Sequence, residues 1–194
     1  MNFIKDFFIN ISKIFEKIEK DKIEKIVDNL ISLRNRNGRL FIIGVGGSAG
    51  NASHAVNDFR KLCGIDAYTP VDNVSEITAK TNDEGFETIF NTYLKLSKFN
   101  KKDSLMVFSV GGGNFKKNVS VNIIKAIKYA KSKKGNVISI IGRSDGYAFK
   151  YSDIKILIDV ENKKLTTPIT ETFQVLIWHL LVSHPKLQIN KTTW

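Results

Sequence analysis

The residues best placed to do chemistry lie between Leu40 and Arg60, in LFIIGVGGSAGNASHAVNDFR. Leu40 to Ile43 is an apolar run with the length of a buried parallel strand. It breaks at Gly44-Val45-Gly46-Gly47-Ser48 and continues into a segment that reads as a helix. A strand that feeds glycines and then a helix N-terminus is suited to hold an anion. The backbone can approach closely, free N–H groups point outward, and the helix dipole favours negative charge. Ser48 adds a hydroxyl donor. A dinucleotide fingerprint needs a third glycine where Ala49 stands, and a Walker loop needs a lysine before Ser48, so both nucleotide motifs fit poorly. A sugar-phosphate loop, which needs only small residues and hydroxyls, fits better. A glycine turn with no ligand is the plain alternative.

The elements around this stretch must position it. Residues 2–36 predict two helices, with Phe3, Ile4, Phe7, Phe8, Ile11, Ile14 and Phe15 on one stripe and Ile23, Ile26, Val27, Leu30, Ile31 and Leu33 on the other. The break is expected near Lys20-Asp21, with Asp21 capping the second helix. The Phe-rich first stripe points to packing against another subunit, although folding onto its own domain accounts for it nearly as well. Asp66 to Val71 reads as a short strand, and Asp72 to Glu76 as a turn into a helix. Asn82-Asp83-Glu84-Gly85 reads as a second turn, and Phe86 to Phe99 resumes helical spacing. Strands follow at Ser104–Val110, Asn136–Ile141 and Asp153–Val160, with helices at Ser120–Lys133 and Thr170–Ser183. Strands alternating with helices imply an α/β three-layer sandwich with a five-stranded parallel sheet and an N-terminal helical extension. Three glycine-containing loops then fall at strand C-termini, after Ile43, Val110 and Ile141, where such folds bind ligands. That coincidence favours a ligand at the first loop.

A chain of 194 residues, 42% hydrophobic and 25% charged, has globular values and the size of one domain, so 1–194 is read as a single unit, with 1–36 the helical pair and 37–194 the α/β core. Its apolar runs are too short to span a bilayer and its N-terminus lacks a secretory pattern, so no membrane partner is expected. The single cysteine, Cys63, excludes an internal disulfide and suits a reducing cytoplasm. The net charge of +11 comes from lysines spread over the whole length, without the clustered charge and interleaved aromatics of a nucleic-acid binder. Only Lys116-Lys117, beside the second glycine run, looks aimed at anything.

Gly44 to Ser48, followed by His54 and a carboxylate at Asp58, resembles the sugar isomerase (SIS) domain, and within it the phosphoheptose isomerases. Asp72-Asn73-Val74-Ser75, Asn82-Asp83-Glu84-Gly85-Phe86, Ser120 to Ala126 and a closing helix with His179 extend the resemblance over nearly the whole chain. It implies conversion of sedoheptulose 7-phosphate to D-glycero-D-manno-heptose 7-phosphate through an enediol, by a cytoplasmic homotetramer. Such chemistry needs a base at the carbon beside the carbonyl and an acid for the oxygens. The resemblance assigns these roles to Asp58 and His179. It assigns the phosphate to Ser48, Ser109 and Ser120, and the sugar to Asn51, Asn82, Asp83 and Glu171. Some relatives bind zinc, and the matching ligands here are His54, Asp58, Glu171 and His179. His54 and Asp58 share a helix face, and Glu171 and His179 are eight apart. His184, before Pro185, reads as structural.

The chain departs from the family pattern in three places. Asp58 is shorter than the usual glutamate, Glu171 replaces a glutamine, and Gly111 to Asn118 spaces Ser109 from Ser120 where relatives have a compact serine-rich turn. The adjacent carboxylates favour a metal that neutralises them. The altered loop keeps a different phosphosugar in view. A non-enzymatic relative resembling the initiator-associating regulators of bacterial replication is the other rival.

Overall fold

The structure is a computed structural model and describes residues 2–192. Its elements are α1 (Phe3–Lys17), α2 (Lys20–Asn35), β1 (Arg39–Ile43), α3 (Gly47–Cys63), β2 (Asp66–Tyr68), α4 (Val74–Glu84), α5 (Ile89–Leu96), β3 (Ser104–Ser109), α6 (Val121–Ser132), β4 (Asn136–Ile141), α7 (Tyr147–Tyr151), β5 (Ile154–Leu157) and α8 (Thr166–Val182). The five strands form one parallel sheet in the order β2-β1-β3-β4-β5. Every residue of β3, the central strand, is buried.

Alternation along the strands builds two cores. Leu40, Ile42, Met106, Phe108, Ile138 and Ile140 face α2, α3 and α8, whereas Phe41, Ile43, Leu105, Val107, Val137 and Ile141 face α5, α6 and α7. Each fully buried Leu, Ile or Phe contributes about 1.5–3 kcal/mol, so both sheet faces must be covered, which gives the three layers. α2 packs in the same core as α3 and α8 through Ile23, Ile26, Val27, Leu30 and Leu33. α1 lies outside this layer. Its Phe7 and Ile11 pack inward, its Phe15 ring lies 5.1 Å from Phe173, and Lys13 and Lys17 pair with Glu161. Its Phe3, Ile4 and Phe8 are more than 60% exposed.

Several boundaries differ from the sequence reading. α2 starts at Lys20 with Glu19 at its N-cap, so Asp21 sits in the first turn and complements the dipole instead of capping. The second strand stops at Tyr68 because Pro70, lacking an N–H, opens a 3₁₀ turn over Pro70–Asp72. Asn82 to Glu84 finish α4, and the turn is confined to Gly85, whose φ of +86° ends the helix. α8 begins four residues early, with Pro168 tolerated in its first turn. The last strand shrinks to Ile154–Leu157, and α7 has no counterpart in the sequence reading. His184 Nε2 lies 3.3 Å from Glu24 Oε1 on α2.

Candidate active site

The sheet order reverses between β1 and β3, which opens a crevice at their C-terminal ends. The loop after β1 enters it through Gly46, whose φ is +64°. A Cβ at Gly47 would meet the Glu171 carboxylate, so any side chain there would have to displace it. From Gly47 onward α3 runs alongside α8 in the same direction. Asn51 Nδ2 donates to Glu171 O and to Gln174 Oε1, both at 3.0 Å. One turn on, the His54 ring meets Trp178 edge-on at 4.7 Å and His179 at 5.7 Å. Farther along, the Cys63 thiol reaches Val182 O. Contacts that climb both helices together fix their register, and that register assembles the site.

At the middle of this seam, ligand atoms of His54, Asp58 and His179 all lie within 4.8 Å of one another. Asp58 is only 5% exposed and the two imidazoles are exposed. Its Oδ1 accepts from Asn57 Nδ2 at 2.8 Å, and its Oδ2 lies 3.9 Å from His54 Nε2. His179 Nδ1 is 2.9 Å from Val175 O. A carbonyl can only accept, so Nδ1 carries the proton and Nε2 keeps a free lone pair, the arrangement that orients a histidine as a metal ligand or proton carrier. Two imidazoles and one carboxylate make a suitable donor set for a divalent ion and leave coordination positions open. Glu171, the fourth expected ligand, lies outside this cluster. Eight residues along a helix is a displacement of about 12 Å and a rotation of about 80° from the His179 direction, and the Glu171 carboxylate lies instead at Gly47.

The other expected residues divide. Ser48 is buried in the first turn of α3. Ser109 ends β3, with its Oγ accepting from Gly112 N at 3.0 Å. Gly112 and Gly113 have φ of +68° and +81°, a path that side chains resist. Residues 114–119 then close a small hairpin through Asn114 N–Val119 O and Val119 N–Asn114 O bonds of 2.8 and 3.0 Å. Lys116 and Lys117 are exposed on it. Ser120 ends the loop in the left-handed conformation, φ +48°, at the N-cap of α6. A cavity of about 640 Å³ lies beside it, lined by Val45, Phe86, Phe115, Ser120, Asn122 and Lys125 among others. Asn82 and Asp83 are exposed at the end of α4, amide bonded to carboxylate at 2.9 Å. Asn51 is engaged with α8 rather than turned to solvent.

The model of the SIS domain matches residues 6–142. The chain belongs to the SIS domain family. As an SIS domain it is 28% identical over 177 residues to the probable phosphoheptose isomerase of Thermoplasma volcanium, covering 89% of this chain and 85% of that protein. It is 31% identical over 154 residues to the lincomycin biosynthesis protein LmbN of Streptomyces lincolnensis, covering 76% of this chain and 56% of that protein. In fold it resembles the phosphoheptose isomerase structure from Francisella tularensis, with a TM-score of 0.79, 23% identity, and coverage of 94% and 97% of the two chains.

Within the SIS crevice the structure adds residues that the sequence did not single out. Trp178 and Gln174 are fully buried on α8, and Asn57 holds the Asp58 carboxylate. A buried glutamine in an apolar helix is a legible anomaly, but its partner is not. Asn122 is 1% exposed beside Ser120. The loop after β4 holds Arg143 in a two-point pair with Asp145, each contact 3.0 Å, and the guanidinium keeps that carboxyl below the usual carboxylate range.

Proposed function

We propose that this SIS domain is an aldose–ketose isomerase that converts sedoheptulose 7-phosphate to D-glycero-D-manno-heptose 7-phosphate, supplying heptose for surface polysaccharide. The observation that carries the reading is the buried Asp58 carboxylate set between two exposed imidazoles at a sheet switch point. The curated relative from Thermoplasma volcanium supports the substrate. Asp58 takes the proton from the carbon beside the carbonyl and returns it to its neighbour, and His179 moves protons between the oxygens through Nε2. Ser48, Ser109 and Ser120 hold the phosphate end, and Glu171, Asn82 and Asp83 meet the sugar. When zinc is bound, His54, Asp58 and His179 hold it and Asp58 serves as a ligand. A divalent ion held by these three residues would supply Lewis-acid polarisation of the substrate carbonyl.

The uncovered Phe3, Ile4 and Phe8 of α1 support a homotetramer in which this face is buried. Among the described residues no helix is long and apolar enough to cross a membrane, and we place the protein in the cytoplasm. The deciding experiment incubates it with sedoheptulose 7-phosphate in heavy water, with and without zinc, and follows the reaction by NMR. Deuterium at the carbons flanking the carbonyl, with a new heptose 7-phosphate signal, is the expected result. Exchange without product moves the assignment to another phosphosugar, which the glycine-rich 111–113 segment would accommodate. Absence of both, with folded and zinc-loaded protein, overturns the isomerase reading.

A further inference from the structure

We infer that Asn122 binds the anionic end of the substrate, as a donor to a phosphate oxygen in the cavity beside Ser120. The inference rests on the isomerase reading for the identity of the sugar but not for the anion. α6 is a twelve-residue helix whose N-cap side chain makes no capping bond, since Ser120 holds a left-handed conformation. The positive end of its dipole therefore opens on the cavity with its hydroxyl uncommitted. Asn122 stands in the first turn. Its Oδ1 accepts from Ile123 N at 2.8 Å, which settles the orientation of the amide: the other end is Nδ2. That nitrogen is buried and has no hydrogen-bond acceptor among the described residues. Proteins rarely leave a buried donor in this state without a ligand or water to satisfy it. Asn122 is 1% exposed, and it lines the roughly 640 Å³ cavity.

The rest of the wall agrees in chemistry. Lys125, one turn along α6, lines the same cavity, with its ammonium 3.7 Å from Glu87 Oε1. That separation is longer than a hydrogen bond and leaves the cation able to turn to a ligand oxygen. The half-exposed Phe86 and Phe115 supply apolar sides that displace water from the polar corner. Ser120 hydroxyl, Asn122 amide, first-turn N–H groups and the Lys125 ammonium are all donors, which selects an anion with several acceptors. A phosphate monoester meets that requirement. A neutral sugar hydroxyl would use the amide but not the cation.

The test uses the full chain as wild type, Asn122→Asp and Asn122→Ala. Asn122→Asp keeps the oxygen that accepts from Ile123 N–H and puts a negative oxygen where the donor stood. Binding of inorganic phosphate is followed by phosphorus NMR titration, and KM and kcat are measured with sedoheptulose 7-phosphate. Loss of one hydrogen bond to a charged oxygen weakens binding about 10- to 100-fold. Asn122→Ala should raise the phosphate Kd and the sugar-phosphate KM by that factor, Asn122→Asp by at least as much, with kcat within a few-fold. Wild-type phosphate affinity in a folded Asn122→Asp protein, or no phosphate binding by the wild type, overturns the inference. Phosphate binding is read without turnover. Failure of the isomerase assay with Asn122-dependent phosphate binding therefore rejects the sugar and keeps the site.

Discussion

Asn51 is where a sugar-contact role and the observed packing make opposite predictions, so Asn51→Ala is the informative perturbation. In the structure its amide bridges Glu171 O and Gln174 Oε1 across the α3–α8 seam. Gln174 is fully buried, and its Nε2 already has no partner among the described residues. Removing Asn51 therefore deletes two hydrogen bonds and strands a second polar atom of the same buried amide. Two neutral bonds contribute about 0.5–1.5 kcal/mol each, and an orphaned buried acceptor costs a further 1–3, for a total of roughly 2–6 kcal/mol. For a chain of this size that lowers Tm by roughly 4–24 °C. Thermal denaturation followed by circular dichroism measures it, and Gln174→Met in the same background isolates the cause. If the stranded amide is responsible, Asn51→Ala with Gln174→Met should recover much of the loss, and the double-mutant cycle should show strong coupling. The site should suffer too, because the same seam sets His54 against His179, so kcat falls. An unchanged Tm accompanied by a raised KM would refute this reasoning and return Asn51 to the sugar.

Asp58→Asn keeps the shape of the buried side chain but removes its charge, and should lower isomerase activity at least about 100-fold. It should also drop bound zinc, measured by elemental analysis, well below that of the wild type; retained metal would dissociate Asp58 from the triad. Glu161, between Lys13 and Lys17, is held down to about 2 from its ordinary value of 4.5 by those two ammonium groups. Because the folded value is depressed, its help in docking α1 is complete above the unfolded value and is lost as pH falls toward 2. Protection of the α1 amides, corrected for the fall of intrinsic exchange with pH, should drop over that interval in the wild type and be already lower at pH 6 in Glu161→Gln; identical protection in both proteins at pH 6 argues against the tether. Burial pushes the Cys63 thiol up to about 12. A disulfide reagent at pH 8 should therefore leave the native protein untouched and react on denaturation, and rapid native labelling would contradict its burial.

Much of this molecule is written in short-range patterns. Leu40–Ile43 alternates its faces between two cores, the glycines after it interrupt the strand, and α3 follows, all from interactions among near neighbours. The five parallel strands and the crevice at their ends follow from the alternation of strand and helix. His54 and Asp58 could be paired from spacing alone because both ride one helix. The meeting of that pair with His179 required the register of α3 against α8, set by contacts more than a hundred residues apart in the chain, such as Asn51 with Gln174. The same register separates Glu171 from the triad and takes Asn51 away from solvent. Burial of Asp58 and the unpaired amide nitrogen of Asn122 were likewise hidden, since a polar residue in the sequence does not reveal whether it faces water. Local preferences act over about four residues and specify elements and loops. Which polar groups lose water, and which partners replace it, is a property of packed surfaces, and only the tertiary structure contains them.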